Sequence, residues 1–149
     1  MMGRSKRMQP VVKLAEDRER NDAREFGQSE RRLAHMQQKL VELQQYRDEY
    51  ARRFEAAGSC GLNAMQLRDY RIFLDRLSAA IAQQAVAIAH ARQDLAKQRH
   101  DWLLSRRRVE ALDKVIERYQ RQEQDVERRL EQNECDEHSA QSARRREKR

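Results

Sequence analysis

Glycine, proline and aromatic side chains are scarce in this chain of 149 residues, which has 4 Gly, 1 Pro and only 5% Phe, Trp and Tyr together. Sandwiches, barrels and doubly wound α/β folds turn the chain every ten residues or so and use Gly, Pro, Asn and Asp to do it. Here three of the four glycines are Gly3, Gly58 and Gly61, so such folds are excluded and the chain is organised by one turn. Cysteine is equally sparse. Cys60 and Cys135 are too distant in any elongated helical arrangement to reach the ~4.4–6.8 Å Cα separation of a disulfide, and both read as reduced thiols. No stretch approaches the ~18 apolar residues of a membrane span, and the basic opening, residues 1–10, leads into a polar periodic run rather than the apolar core of a signal peptide. A soluble cytosolic protein is expected.

The means for catalysis are also missing. There is no glycine-rich phosphate loop, no metal-spaced Cys and His set and no nucleophile elbow. His35, His90 and His100 fall on outer helical positions and His138 in a polar stretch. The carboxylates lie beside Arg or Lys on exposed faces, where no pocket tunes a pKa. The chain reads as a non-enzyme without cofactor or metal.

What the sequence holds in quantity is charge, 38% of residues, and the helix formers Ala, Leu, Glu, Gln, Lys and Arg, a composition of long helices and coiled coils. The net charge of +7 comes from 32 basic residues set against 25 acidic ones. Because the two signs are interspersed, this is a weak signal for nucleic acid. From Leu67 onward apolar residues recur every seven positions, through Leu74, Ile81, Ile88, Leu95, Trp102, Val109, Ile116 and Leu130, with only Glu123 interrupting. The position three residues on reads Tyr70, Leu77, Gln84, Ala91, Gln98, Ser105, Leu112, Tyr119 and Val126. A seam sustained this long asks for a second helix along it. The first part of the chain supplies one, with Phe26, Leu33, Leu40, Arg47 and Phe54 in one series and Met36, Leu43 and Tyr50 in the other, continued weakly by Val11, Val12, Leu14 and Ala15 toward Pro10.

The expected fold is therefore all-α, a long antiparallel two-helix coiled-coil hairpin with an extended C-terminal helix, in a single domain. Helix one is expected over about 10–57 with Pro10 in its first turn. The turn follows at 58–62, helix two at about 63–137 and a basic disordered tail at 138–149. Gly58 is expected to supply the left-handed residue that closes helix one, and Asn63 with Gln66 a capping box for helix two. Folding back at this turn sets Leu43 opposite about Leu77 and Phe26 opposite about Leu95, within half a heptad. Helix one then runs out near residue 110, and some 25–30 residues of helix two project beyond it, about 40 Å at ~1.5 Å per residue. Leu112, Ile116, Tyr119, Val126 and Leu130 continue the apolar stripe there, flanked by Arg118, Arg121, Arg128 and Arg129. An uncovered stripe implies an external partner or a second copy. A second candidate surface is the aromatic cluster near the turn, in which Tyr46 and Phe73 flank the seam positions Tyr50, Phe54 and Tyr70 and join Leu43, Leu77, Ala80 and Gln84 in a half-exposed patch.

Two helices of unequal length about one turn, the runs Leu40–Tyr50 (LVELQQYRDEY) and Tyr70–Ile81 (YRIFLDRLSAAI), Trp102 before a basic stretch, and an Arg- and Glu-rich end at Gln124–Glu137 together resemble the FliJ family of the bacterial flagellar type III export apparatus. The resemblance covers nearly the whole chain. It implies a cytoplasmic protein, peripheral to the inner face of the cell membrane at the flagellar base. Its partners would be the hexameric export ATPase, the cytoplasmic domain of the export gate protein and substrate chaperones, with no specific nucleic acid. On this resemblance Leu43, Tyr46, Tyr50, Phe73, Leu77, Ala80 and Gln84 contact the gate, whereas Leu112, Ile116, Tyr119, Arg121, Val126, Arg128 and Leu130 contact the ATPase. Three other readings stay open: a stalk protein of an injectisome, a basic coiled-coil module binding nucleic acid through Arg144, Arg145, Arg146, Lys148 and Arg149, and a self-assembling structural module.

Overall fold

A computed structural model describes residues 3–149. Two α-helices account for nearly all of them: α1, Arg4–Gly58, and α2, Ala64–Glu147, with no strand among the described residues. The chain divides into two compact units. One comprises residues 21–102 with the turn, and the other joins the described residues up to Arg20 to Leu103–Arg149.

In the turn unit the helices run antiparallel, because partners on α2 fall in number as those on α1 rise. Met36 meets Gln84, Tyr46 meets Phe73 and Tyr50 meets Tyr70. The core is a narrow seam in which Leu77 and Ile88 are the buried large side chains. Phe26 stacks on Trp102 with ring centroids 5.6 Å apart and lines a groove with Leu95, so it sits between two seam residues of α2 that are one heptad apart. Gln84, a polar residue on the seam, donates its amide to the Met36 carbonyl at 2.9 Å.

The most apolar part of α2 has an 18-residue window of mean hydropathy 1.3, long and apolar enough by length and composition to cross a bilayer. It differs from the expectation that no stretch approaches a span. The physical source is the seam itself: a run rich in Ala with Leu and Ile at seam positions averages as apolar although Gln83 and Gln84 lie within α2 here.

The turn departs from expectation at one residue. α1 runs through Gly58, and the left-handed residue is Gly61, with φ 82°. Tight bonds from the Cys60 amide to the Ala57 carbonyl (3.0 Å) and the Gly61 amide to the Gly58 carbonyl (3.2 Å) wind the last turn on, and the Ser59 hydroxyl donates to the Ala56 carbonyl at 2.6 Å. These occupy carbonyls that end a helix without partners, so the reversal is deferred to Gly61. The start of α2 is a reciprocal capping box: the Gln66 amide donates to Asn63 Oδ1 at 2.7 Å and the Asn63 amide to Gln66 Oε1 at 3.1 Å, which satisfies two of the amides a helix start leaves open.

In the other unit α1 begins at Arg4, well ahead of Pro10, which lies inside the helix rather than in its first turn. Val12 and Ala15 are buried, whereas Leu14 is 72% exposed: heptad position, not hydrophobicity, decides which side chain enters the seam. Ser5 is buried as well and meets Glu123 of α2. The stripe expected to be bare from Leu112 onward is therefore covered as far as Glu123. Beyond it α2 continues past residue 137 to Glu147. No Gly or Pro interrupts residues 138–147, and Arg144, Arg145 and Arg146 in the last turn suit the negative end of the helix dipole. A block of like charge expected to be disordered thus ends the helix favourably.

Candidate partner-binding surfaces

Around the turn, five aromatic rings form a continuous ladder. Tyr46 meets Phe73 edge to face, at 5.9 Å and 73°. Phe73 lies 4.3 Å from the Tyr50 ring centre. Tyr50 stacks on Tyr70 at 5.4 Å, and Tyr70 on Phe54 at 3.4 Å. Ring pairs of this kind add about 0.5–1.5 kcal/mol each beyond the area they bury, so the ladder clamps the hairpin where a seam of Ala and Gln would be weak. It also sorts the residues expected to contact the gate. Tyr46 is 48% exposed although its ring meets Phe73, whereas Leu77 is 7% exposed and belongs to the core. Leu43, Tyr50, Phe73 and Ala80 are half-buried. The Gln84 amide is committed to Met36. Below the ladder, Tyr50, Phe54, Leu62 and Tyr70 line an open groove of about 330 Å³ edged by Arg53 and Asp69. Val41 and Ile72 are 42% and 44% exposed on outer faces of the helices, apolar surface that seam counting passes over.

In the unit that holds both helix ends, Leu112, Ile116 and Tyr119 are half-buried and Val126 and Leu130 exposed. The last two, one helical turn apart, stand on the same face of α2. Arg121 pairs with Glu117 at 4.0 Å and Arg128 with Asp125 at 3.2 Å; both pairs are exposed, and such pairs contribute at most about 1 kcal/mol. The guanidinium of Arg4 lies 5.8 Å from the Tyr119 ring centre, a cation–π contact that caps this aromatic from the α1 side.

Glu123 is the residue that seam counting passed over as a mere interruption. Its carboxylate accepts the Ser5 hydroxyl at 2.7 Å and the Ser5 amide at 3.1 Å. The Ser5 hydroxyl, then the Ser5 and Arg4 amides, hold its carboxyl below the usual carboxylate range, with partial desolvation pulling weakly the other way. A polar residue at a seam position of α2 facing a polar residue near the start of α1 was the signal that could have found it. A Cβ on Gly3 would meet the Glu123 carboxylate, the far end of a flexible side chain that would have to turn aside. Gly3, Arg4, Arg7, Tyr119, Glu123 and Val126 line a groove of about 360 Å³.

No group of His, Cys, Asp and Glu among the described residues is placed to hold a metal ion. The two surfaces are built of aromatic, aliphatic and Arg side chains.

The profile of the family described as Flagellar FliJ protein matches residues 4–148. No curated protein and no solved structure matches the chain. With a two-helix hairpin on the page and a family profile spanning both helices, the chain belongs to the flagellar FliJ family, a non-catalytic component associated with the flagellar export apparatus.

Proposed function

We propose that this protein is the coiled-coil partner of the hexameric flagellar export ATPase, promoting ring assembly and ATP turnover through the unit that holds both helix ends. The turn unit binds the cytoplasmic domain of the export gate, so that ATP turnover is coupled to gate opening, and substrate chaperones are handled by the same molecule. The protein then acts at the cytoplasmic face of the membrane, held there by its partners. The observation that carries this reading is the exposed pair Val126 and Leu130 on a helix that continues past the reach of α1. Two aliphatic side chains on one face of α2, with Arg121 and Arg128 on the opposite face, suit a ring interior lined by apolar and acidic side chains.

At the ATPase surface Val126 and Leu130 are exposed and Arg121 and Arg128 stand in exposed ion pairs, whereas Leu112, Ile116 and Tyr119 are half-buried. For the gate, Tyr46 and Phe73 are the anchors and Leu77 supports them from within.

ATP turnover by the export ATPase of the same organism, measured with and without the protein, tests this reading. Val126→Ser with Leu130→Ser is expected to abolish most of the stimulation while leaving the helical content unchanged. Equal stimulation by this double variant would overturn the assignment.

A further inference from the structure

The position that follows the second seam series along α2 reads Arg92, Arg99, Arg106, Asp113, Gln120, Glu127 and Glu134. It flanks the seam, the place from which coiled coils make charge pairs between helices. Its charge is segregated along one continuous helix, basic toward the turn and acidic toward the C-terminus. Arg92, Arg99, Glu127 and Glu134 are all exposed. None of the four makes an ion pair or a side-chain hydrogen bond with another described residue, although acid–base pairs form elsewhere on both helices.

Each pair of like charges brackets apolar surface. Arg92 and Arg99 line a groove of about 430 Å³ in the turn unit, together with Phe26, Leu95 and Ala96, and Glu30 stands there on the α1 side. Two guanidinium groups against one carboxylate leave this groove net positive. Glu127 and Glu134 lie on either side of Leu130 on one face of α2, and Leu130 is 59% exposed. In both places the two charges are seven residues apart, about 10 Å along the helix. In both, a leucine follows the first charge by three positions, Leu95 after Arg92 and Leu130 after Glu127.

We propose that this face of α2 pairs with the same face of a second copy of the chain, antiparallel about a two-fold axis at Asp113. Arg92 and Arg99 then meet Glu134 and Glu127 of the second copy, and the reciprocal pairs form at the same time. Leu130 is set against Leu95 and Ala96. The order of charges selects the direction, because a parallel pair would set Arg92 on Arg92 and Glu134 on Glu134. An isologous contact of this kind closes on itself and stops at two copies. Its one like-charge contact is Asp113 against Asp113 on the axis. The pairing is a property of the chain alone and does not rest on the function proposed above.

Sedimentation equilibrium of the full chain tests it. A monomer–dimer equilibrium is expected, with a dissociation constant that rises at least fivefold between ~0.01 M and ~0.15 M salt as the charges are screened. Arg92→Glu with Arg99→Glu, and separately Glu127→Arg with Glu134→Arg, are each expected to weaken the dimer at least tenfold. Mixing these two variants is expected to give a heterodimer, since every charged position then opposes its opposite, which also shows that both variants are folded. Asp113→Asn is expected to tighten the homodimer at least twofold by removing the contact on the axis. A chain that stays monomeric even at millimolar concentration, charge-swapped variants that dimerise like the wild type, variants that fail to pair when mixed, or an Asp113→Asn dimer no tighter than the wild type would each overturn the proposal.

Discussion

Gln84 of α2 donates its side-chain amide to the backbone carbonyl of Met36 on α1 across the seam, at 2.9 Å. A side chain that interrupts the apolar series is thereby a cross-helix bond, and it pins one alignment of the two helices where Ala91 and Gln98 farther along provide little grip. Gln84→Ala is expected to lower unfolding free energy by about 1 kcal/mol, read from urea denaturation followed by circular dichroism. Gln84→Leu, which exchanges the bond for apolar contact, is expected to raise the denaturation midpoint instead.

The ladder separates stability from recognition. Phe73 touches both Tyr46 and Tyr50, so Phe73→Ala is expected to cost about 2–3 kcal/mol of stability. Tyr46, at 48% exposure, is expected to cost less than about 1 kcal/mol when truncated. Its loss is expected nevertheless to weaken binding to the purified cytoplasmic domain of the export gate by tenfold or more, as measured by calorimetry. Tyr46→Ala binding the gate as tightly as the wild type would remove the turn unit from that role.

The two glycines at the turn are expected to respond in opposite directions. Gly61 has φ 82°, a conformation that costs an L-residue about 1 kcal/mol or more, so Gly61→Ala destabilises. Gly58 is helical with open space where a Cβ would stand. Gly58→Ala is therefore expected to stabilise by about 0.5–1 kcal/mol. Thermal melts of the two variants under one set of conditions check the pair.

Glu123 makes the pairing of the helix ends depend on pH. Its carboxyl sits below the ordinary value of 4.5 in the folded chain, so its stabilising contribution is present above that value and is lost as the pH falls through the lower folded one. Arg4, Arg7 and Tyr119 line the same groove. Because many other carboxylates titrate too, the measurement is a difference. The stability gap between wild type and Glu123→Gln is expected to be widest near neutral pH and to close in acid.

Much of this architecture could be read from spacing alone. Seven-residue recurrence from Leu67 to Leu130 required a partner helix, and Asn63 with Gln66 marked the start of α2 because a capping box is a local pattern. Counting back in sevens from Phe26 reaches Glu19, Val12 and Ser5, which places Ser5 on the seam. Pro10 hides that continuation, because a proline ordinarily opens a helix. What carries α1 past it is a carboxylate from far along the chain, and no local rule contains that contact. The turn failed for the converse reason: Gly58 and Gly61 are equally able to take a positive φ, and the choice between them was made by the Ser59 hydroxyl and two tight backbone bonds. Of the candidate surfaces, the residue types were legible and their exposure was not. Leu77 and Tyr46 both belong to the turn patch by spacing, yet one is core and the other surface.

The single-helix stretch of α2 beyond Val126 has a thermodynamic consequence of its own. An isolated helix of this length in water must first form a costly nucleus, but here the paired part of α2 supplies that nucleus, and each further residue need only propagate. Propagation is only weakly favourable per residue, so the exposed amides of this stretch are expected to open progressively toward the C-terminus, as hydrogen exchange would read. A partner that engages it gains the remaining helix as it binds, so affinity at this surface depends on helix propensity at positions the partner never touches.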